Sequence, residues 1–355
     1  MKAIVQTSYG SPDVLQITNV EKPIPADNEV LIKIHATIVG ATDAIFRGGR
    51  DLGARLATGL TKPKSAIPGS EFAGKIEAIG TAVKRFRVGD SVFGTVAPNV
   101  GAHAEYINLP ADGAIALKPE NMTYEEAVAI HPGALTALPN LLGAAHIQRG
   151  QKILIIGASG SIGSSAVQLA KYFEAEVTGV CSTANVDLVK SLGADAIIDY
   201  KHEDFTQNGK TYDIIFDSVG KSTFSRCKGS LKQGGIYLTT VLSPAILLQM
   251  LWTSQFGNKR AMIVFAGLRP TSEKRDYLAL LLELVAAGKF RPVIDRCYPL
   301  EQIGEAHRYV ETGRKTGNVV ITVVDDHTTD QTRSADGYRM EDVIEHTAAP
   351  TNVSQ

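Results

Sequence analysis

From Lys2 to about Pro110 apolar and polar side chains alternate in short runs broken by turn residues, with Glu29 to Ala36 and Phe72 to Ile79 the clearest. A period of two puts one face of each run inward, so this stretch is predicted to be mostly β. Between about Glu125 and Phe265 the texture changes. Apolar runs at Ile153 to Ile156, Glu176 to Cys181, Ala196 to Asp199, Asp213 to Phe216 and Gly235 to Thr240 alternate with helical patterns there. That alternation predicts a parallel α/β sheet. A helix is predicted from Glu273 to Ala287, stopped by Gly288, and Gly317 to Val324 supplies a last β-rich strand. Both are expected to return to the first domain, which leaves the cleft between the two domains as the default ligand site.

Two segments stand apart. Pro244 to Trp252 is strongly apolar but interrupted by Gln249, and it is far shorter than the roughly 20 residues that span a bilayer. It is predicted as a buried helix, with an apolar helix at a subunit contact as the second reading. The tail after Val324 carries seven acidic residues against two arginines and few large apolar groups. It cannot bury enough surface to fold and is expected to be disordered.

Composition narrows the class. Hydrophobic residues make up 44% and charged residues 21%, the profile of a soluble globular protein. A formal net charge of -1 gives no broad electrostatic reason to expect nucleic acid or an anionic membrane as partner. Three widely spaced cysteines, Cys181, Cys227 and Cys297, indicate neither a disulfide framework nor a CxxC metal site, so a reducing cytoplasm fits. The opening MKAIVQTSYGSPDV lacks the long apolar stretch of a signal peptide and reads as a first strand, the expected start of a mature chain.

The strongest chemical signal is QKILIIGASGSIGSSAVQLAKYF, a β-rich strand running into a helix whose Ile162, Ala166, Leu169 and Phe173 recur at helical spacing. Gly157, Gly160 and Gly163 sit at the joint, where glycine permits the sharp turn, close approach to a pyrophosphate and tight helix packing. Unpaired amides at the helix start meet the phosphates. A lone glycine triplet is more often an ordinary loop; the strand before it, the helix after and the second strand at Glu176 point to a dinucleotide. NAD-preferring sites place Asp or Glu at the end of that second strand, and here the place reads Cys181, Ser182, Thr183. Ser182 and Asn185 offer neutral donors and Lys201 a nearby cation to a 2′-phosphate, which favours NADPH; the same two residue types suit a helix cap equally well.

Further motifs widen the picture: GSEFAGKIEAIG at 69 to 80, RFRVGDSVFG at 85 to 94, GAHAEYINLP at 101 to 110, GALTAL at 133 to 138, SLGADAIIDY at 191 to 200, DIIFDSVG at 213 to 220, LKQGGIYLTT at 231 to 240, and EAHRYVETGRKTGNVVI near the end. With the glycine turn, they make the chain resemble the medium-chain dehydrogenase/reductase superfamily, in its zinc-free quinone oxidoreductase (zeta-crystallin-like) branch, from Met1 to about Val324. The resemblance implies an α/β protein with a GroES-like β-rich catalytic domain, residues 1–124 together with 268–325, and a doubly wound Rossmann cofactor domain, residues 125–267, followed by the acidic tail 326–355. By matched position it implies NADPH contacts at Thr136, at Ser159, Gly160, Ser161, Ile162 and Gly163, at Ser182 and Tyr200, and near Val219. A loop at Phe265 to Gly267 and Asn318 would close over the nicotinamide. Many relatives have lysine where this chain has Asn318, which removes a charge contact. A homodimer is the family's expectation.

The resemblance also bears on metal. Zinc-dependent members carry a cysteine where this chain has Gly40 and a histidine where it has Ser70, and Phe93 to Tyr106 holds no cysteine for a structural zinc. His103 and His131 remain near the cleft, but two histidines without a third ligand are expected to be structural. Without a Lewis acid, oxidation of an unactivated alcohol loses its alkoxide stabiliser, whereas reduction of an electrophilic enone, enal or quinone still works. Relatives with a tyrosine in the segment matching Ala44 to Arg47 contrast with AIFR here, so no catalytic acid is assigned. Asp43 is the only nearby acid in sequence, and bonding to backbone is its better reading. Two alternatives stay open: an NADP-dependent alcohol dehydrogenase or aldehyde reductase, and an NADPH-binding structural or interaction protein.

Overall fold

Short alternating strands in the first part pair as the period-two pattern requires. The computed structural model describes residues 1–50 and 52–324; the acidic tail lies outside the described residues. Its strands are β1 (Lys2–Gln6), β2 (Leu15–Asn19), β3 (Glu29–Val39), β4 (Glu71–Ile79), β5 (Ser91–Thr95), β6 (Tyr106–Pro110) and β7 (Ala114–Leu117), with helices α1 (Ala41–Gly48) and α2 (Leu52–Thr58) between β3 and β4. After helix α3 (Tyr124–Leu138) come β8 (Lys152–Ile156), α4 (Ser161–Tyr172), β9 (Glu176–Cys181), α5 (Val186–Ser191), β10 (Ala196–Asp199), β11 (Tyr212–Asp217), α6 (Phe224–Cys227), β12 (Leu231–Thr239), α7 (Pro244–Gln255) and β13 (Arg260–Ile263). The chain then forms α8 (Thr271–Ala286), β14 (Ile294–Pro299), α9 (Ile303–Glu311) and β15 (Asn318–Thr322).

Strands β8 to β13 make one six-stranded sheet in the order β10-β9-β8-β11-β12-β13, with every pairing parallel. The order reverses between β8 and β11, and the loops leaving the carboxyl ends of strands at such a switch point are where open α/β sheets bind ligands. The other large sheet runs β14-β15-β3-β4-β5-β7, with β6 paired to β3, and so joins the first and last parts of the chain. The predicted last strand, Gly317 to Val324, is β15 and pairs with β3, while β14 beside it is not marked in the sequence pattern.

Helix α3 holds the two parts together. Ala127, Val128 and Ala129 bury against the β-rich part with Phe93 and Val320, while Ile130, Ala134, Ala137 and Leu138 bury against α4 and β8. Gly133 makes the second contact possible, because a Cβ there would lie 2.1 Å from the Ser161 carbonyl oxygen. Any side chain at 133 would push α3 off the start of α4.

The buried-helix reading of Pro244 to Trp252 is corrected. Helix α7 buries only Ile246 and Thr253, and it exposes Leu248 (68%), Leu251 (70%) and Trp252 (54%) beside β13, the edge strand of the sheet. A helix apolar on all sides needs cover on all sides, and this chain covers one. Among the described residues no helix is long and apolar enough to cross a membrane.

Candidate active site

Strand β8 ends at Ile156, and the chain turns through Gly157 at φ +78°, a left-handed conformation that side chains rarely adopt. A Cβ on Gly157 would also meet Val219 Cγ1 at 2.6 Å, and one on Gly163 would meet the Gly157 carbonyl oxygen at 2.1 Å. The turn is therefore as tight as the sequence pattern requires. Helix α4 begins immediately, so the amides of Ser161, Ile162 and Gly163 have no carbonyl four residues back to bond. Gly157, Gly160, Ser161 and Ile162 keep solvent contact. The fold thus presents a cradle of backbone amides, at the positive end of a 12-residue helix, to an anionic group.

The floor of this cradle is built by groups that the sequence does not advertise. Asp217, fully buried at the end of β11, accepts from the amides of Val219, Lys221 and Ser222 and so folds the loop that sets Val219 against Gly157. Asn185 donates to the Ser159 hydroxyl at 2.9 Å, which turns it toward the glycine turn and not outward. Ser182 stands at the end of β9, half-buried, and Tyr200 beyond β10 is 62% exposed with its amide bonded to the Cys181 carbonyl. A carboxylate does enter this corner from another strand. Asp199 lies opposite Cys181 in the β9–β10 register, and its carboxylate accepts from the Thr183 hydroxyl, the Lys201 amide and His202 Nδ1. Those donors, Thr183 foremost, hold Asp199 down at about 2.

Across the cleft Asn318 is buried at 4% and spends its amide on structure: it accepts from the Ser161 hydroxyl at 2.6 Å and donates to the carbonyls of Ala129 and Val293. The Gly317 amide bonds the Ser159 carbonyl at 2.8 Å. The start of β15 and the glycine turn are therefore locked together, and the expected nicotinamide-side residue Asn318 acts as the clasp. Phe265 and Gly267 lie on an exposed loop, with Phe265 at 47% exposure. Lys274, only 4% exposed, ties that loop to the β-rich part by donating to the carbonyls of Gly267 (2.8 Å) and Ala97 (2.7 Å). Thr136 sits one turn after Pro132 in α3 and donates to its carbonyl.

From β15 the path continues to two acids. Val319 pairs with Val39, so Asn318 begins β15 beside the point where β3 gives way to Gly40 and α1. The Gly40 amide donates to Asp43 Oδ2 at 2.7 Å, the local backbone bond expected of Asp43. Asp43 is half-buried, and burial raises its pKa against the lowering pull of His103. Glu71, the first residue of β4, faces it: burial and then the Asp43 charge push Glu71 up to about 8. Ser70 donates to Glu71 Oε2 at 2.9 Å, and the Thr37 hydroxyl fixes the Glu71 carbonyl at 2.6 Å.

The donors at this end do not suit zinc. Gly40 brings no side chain and Ser70 a neutral hydroxyl, while His103 Nε2 is engaged with the Ile38 carbonyl at 2.9 Å. Among the described residues no group of three His, Cys, Asp or Glu is placed to hold a metal ion. Zinc prefers thiolate and imidazole, at least three together. His131 is fully buried against Phe93 (ring centroids 5.7 Å apart), and burial pushes it down to about 4, so it is neutral.

Two family models match the chain. The model of the alcohol dehydrogenase GroES-like domain matches residues 26–119 and that of a zinc-binding dehydrogenase matches residues 192–321. The chain is 34% identical over 335 residues to the 2-methylene-furan-3-one reductase of Solanum lycopersicum, a match covering 90% of this chain and 79% of that one. It is 30% identical over 335 residues to the chloroplastic NADPH-dependent alkenal/one oxidoreductase of Arabidopsis thaliana, again over 90% and 79%. The crystal structure of Escherichia coli quinone oxidoreductase complexed with NADPH has a TM-score of 0.76 at 26% identity, covering 91% of this chain and 100% of that one.

Proposed function

The chain belongs to the medium-chain dehydrogenase/reductase superfamily, in its quinone oxidoreductase branch, and from that membership we propose the finer reading of its cofactor and site. It is an enzyme, an NAD(P)H-dependent reductase of activated acceptors such as enones, enals and quinones, and the proposed reaction calls on no zinc, since Gly40 and Ser70 bring no thiolate or imidazole. The observation that carries this is the pairing of an intact dinucleotide turn with a cleft whose metal positions read Gly40 and Ser70. Bound at the turn, the dinucleotide supplies a hydride. The protein orients the cofactor through the α4 amides, keeps Val219 against Gly157, and holds the Phe265 to Gly267 loop in place through Lys274. An electrophilic acceptor needs no Lewis acid to take up a hydride, only donors for the charge arriving on its oxygen.

NADPH is the cofactor of this reading. β9 ends on neutral Ser182, Lys201 supplies a cation nearby, and the Asp199 carboxylate in the same corner already accepts three hydrogen bonds. Asp199→Asn is expected to tighten NADPH about three- to tenfold while leaving NADH within about twofold, because it removes a like charge from beside the 2′-phosphate and nothing from beside a 2′-hydroxyl. Cofactor fluorescence titrations of both forms measure this; equal changes for the two cofactors would remove Asp199 from the specificity corner. The division into residues 1–124 with 268–325 and residues 125–267 is retained, α3 and α8 lying along the seam.

A homodimer is supported by the exposed apolar face of α7 and the open edge of β13 beside it. Light scattering that gives twice the chain mass, and a monomer for Leu251→Glu, is the expected result. A reducing cytoplasm is the proposed setting, in keeping with free and buried Cys181 and Cys227.

A further inference from the structure

The reduced acceptor must gain a proton as well as a hydride, and the residues around the glycine turn do not deliver one. The cleft end of the β-rich part holds a group suited to it. Ser70 is half-buried at the end of a loop, and its carbonyl accepts from the Val96 amide. The next residue, Ala97, is tied through Lys274 to Gly267 on the nicotinamide-side loop. Ser70 therefore lies within one short chain of bonds of that loop, and its hydroxyl bonds the Glu71 carboxyl behind it. Asp43 and Glu71 are both half-buried, and two such carboxyls that feel each other's charge ionise together less readily, since the second charge meets the first in a partly desolvated place. His103, fully buried with its Nδ1 unpartnered among the described residues, faces Asp43 from the loop after β5, with His307 edge-on to it at 6.4 Å and Arg47 beyond. Burial lowers both histidines, His307 to about 2 and His103 against the opposing pull of Asp43, which weakens the positive charge facing the pair.

We propose that Ser70 and Glu71 form a proton relay into the cleft, in which the Ser70 hydroxyl protonates the carbonyl oxygen of the reduced acceptor and is itself reprotonated by the Glu71 carboxyl. The inference rests on the reductase reading above. As the acceptor gains a C–H bond, its π electrons move onto the carbonyl oxygen. That oxygen forms an O–H bond with the Ser70 proton, the Ser70 O–H breaks, and the Glu71 proton restores it. Glu71 is left as a carboxylate beside Asp43 and regains a proton from water. One hydride and one proton complete either acceptor: an enone leaves as the enol, which tautomerises to the saturated carbonyl, and a quinone becomes its hydroquinone once a ring C–H proton shifts to the second oxygen with no net proton gained. A hydroxyl can carry this traffic because it donates and accepts at one freely rotating atom.

Glu71 works only while protonated, so kcat is expected to fall as pH rises through about 8. The stability sign is opposite to that of an ordinary paired carboxylate. A carboxyl raised in the folded state favours folding below its ordinary value of 4.5 and loses that contribution as pH climbs to about 8. Three measurements test the relay. In the protein without cofactor, carbon-13 NMR of labelled glutamate carboxyls should show one group titrating near pH 8, absent in Glu71→Gln and moved down in Asp43→Asn. Glu71→Gln should lower kcat about 100-fold, keep NADPH binding within about twofold, and lose the alkaline fall; Ser70→Ala should lower kcat at least as far with the same binding. The Tm of Glu71→Gln relative to the native protein should rise between pH 5 and 8. A Glu71→Gln enzyme that keeps both its kcat and its alkaline fall, or the absence of any glutamate titrating above pH 6, overturns the relay. A native protein that fails to oxidise NADPH with any enone, enal or quinone supplied would instead overturn the reductase reading, while the NMR titration still decides the protonation of Glu71.

Discussion

Gly163→Val is expected to weaken NADPH binding by about 100-fold or more and to lower Tm by several degrees. The added Cβ would sit 2.1 Å from the Gly157 carbonyl oxygen and 2.8 Å from Ala158 Cα. Both are backbone atoms, so no side chain can swing away, and either the turn opens or α4 slides along its axis. Overpacking of this kind costs about 1–3 kcal/mol in an ordinary core, and here it also moves the amides of Ser161 to Gly163 off the line of the pyrophosphate. Because Gly317 is bonded to the Ser159 carbonyl and Asn318 to the Ser161 hydroxyl, the displacement reaches the other side of the cleft as well. Gly143→Ala is the control, since a Cβ there meets nothing within 4 Å. Fluorescence titration and thermal melting of the two variants give the comparison, and a Gly163→Val protein that binds NADPH like the native one would refute the turn's role.

Glu311→Ala is expected to cost about 2–4 kcal/mol of stability and to lower kcat. Arg47 lies almost entirely inside, with a side-chain exposure of 1%, donating to the Gly10 carbonyl at 2.9 Å and forming an ion pair with Glu311. Burial works against the charge of Arg47, and Glu311 is the first group that restores it. Breaking a buried pair by removing one partner costs about 3–5 kcal/mol; the smaller cost expected for Glu311 follows from its side chain being 39% exposed, so that water replaces part of what is lost. The effect on turnover follows because Arg47 sits at the end of α1, the helix that carries Asp43. Urea unfolding gives the stability. If the double variant Arg47→Leu with Glu311→Leu is no more stable than Glu311→Ala, the cost was not that of a stranded charge.

How much of the molecule is legible in its sequence depends on how local each feature is. The strand, glycine turn and helix at Lys152 to Tyr172 are coded within 21 residues by periods and by Gly157 and Gly163, where a side chain has no room, and β8, the turn and α4 stand where the pattern puts them. Ser182 at the end of β9 is readable for the same reason. Asp199 is not, because it reaches that corner only through the register of β10 on β9. In sequence Glu71 is no more than a strand start beside Ser70, and Asp43 a lone acid; the two meet through the pairing of β3 with β4 and the capping of α1 at Gly40. Matched position puts Asn318 on the nicotinamide side, while its amide is consumed in holding Ser161, Ala129 and Val293 together, a role that depends on three partners far away in the chain. Helix α7 misleads because an apolar pattern reports that a surface is to be covered, not by what.

In the reading proposed for it, this cleft passes a hydride from a nicotinamide to an activated acceptor without a metal. The most direct measurement is transfer of label: the protein, with a chelator present, is supplied with NADPH carrying deuterium at the nicotinamide C4 and with an α,β-unsaturated ketone, and the product is read by mass and by NMR. One deuterium on the β-carbon of the saturated ketone, undiminished by the chelator, is the expected result. Deuterium on the carbonyl carbon of an allylic alcohol, or a transfer that the chelator abolishes, would contradict it.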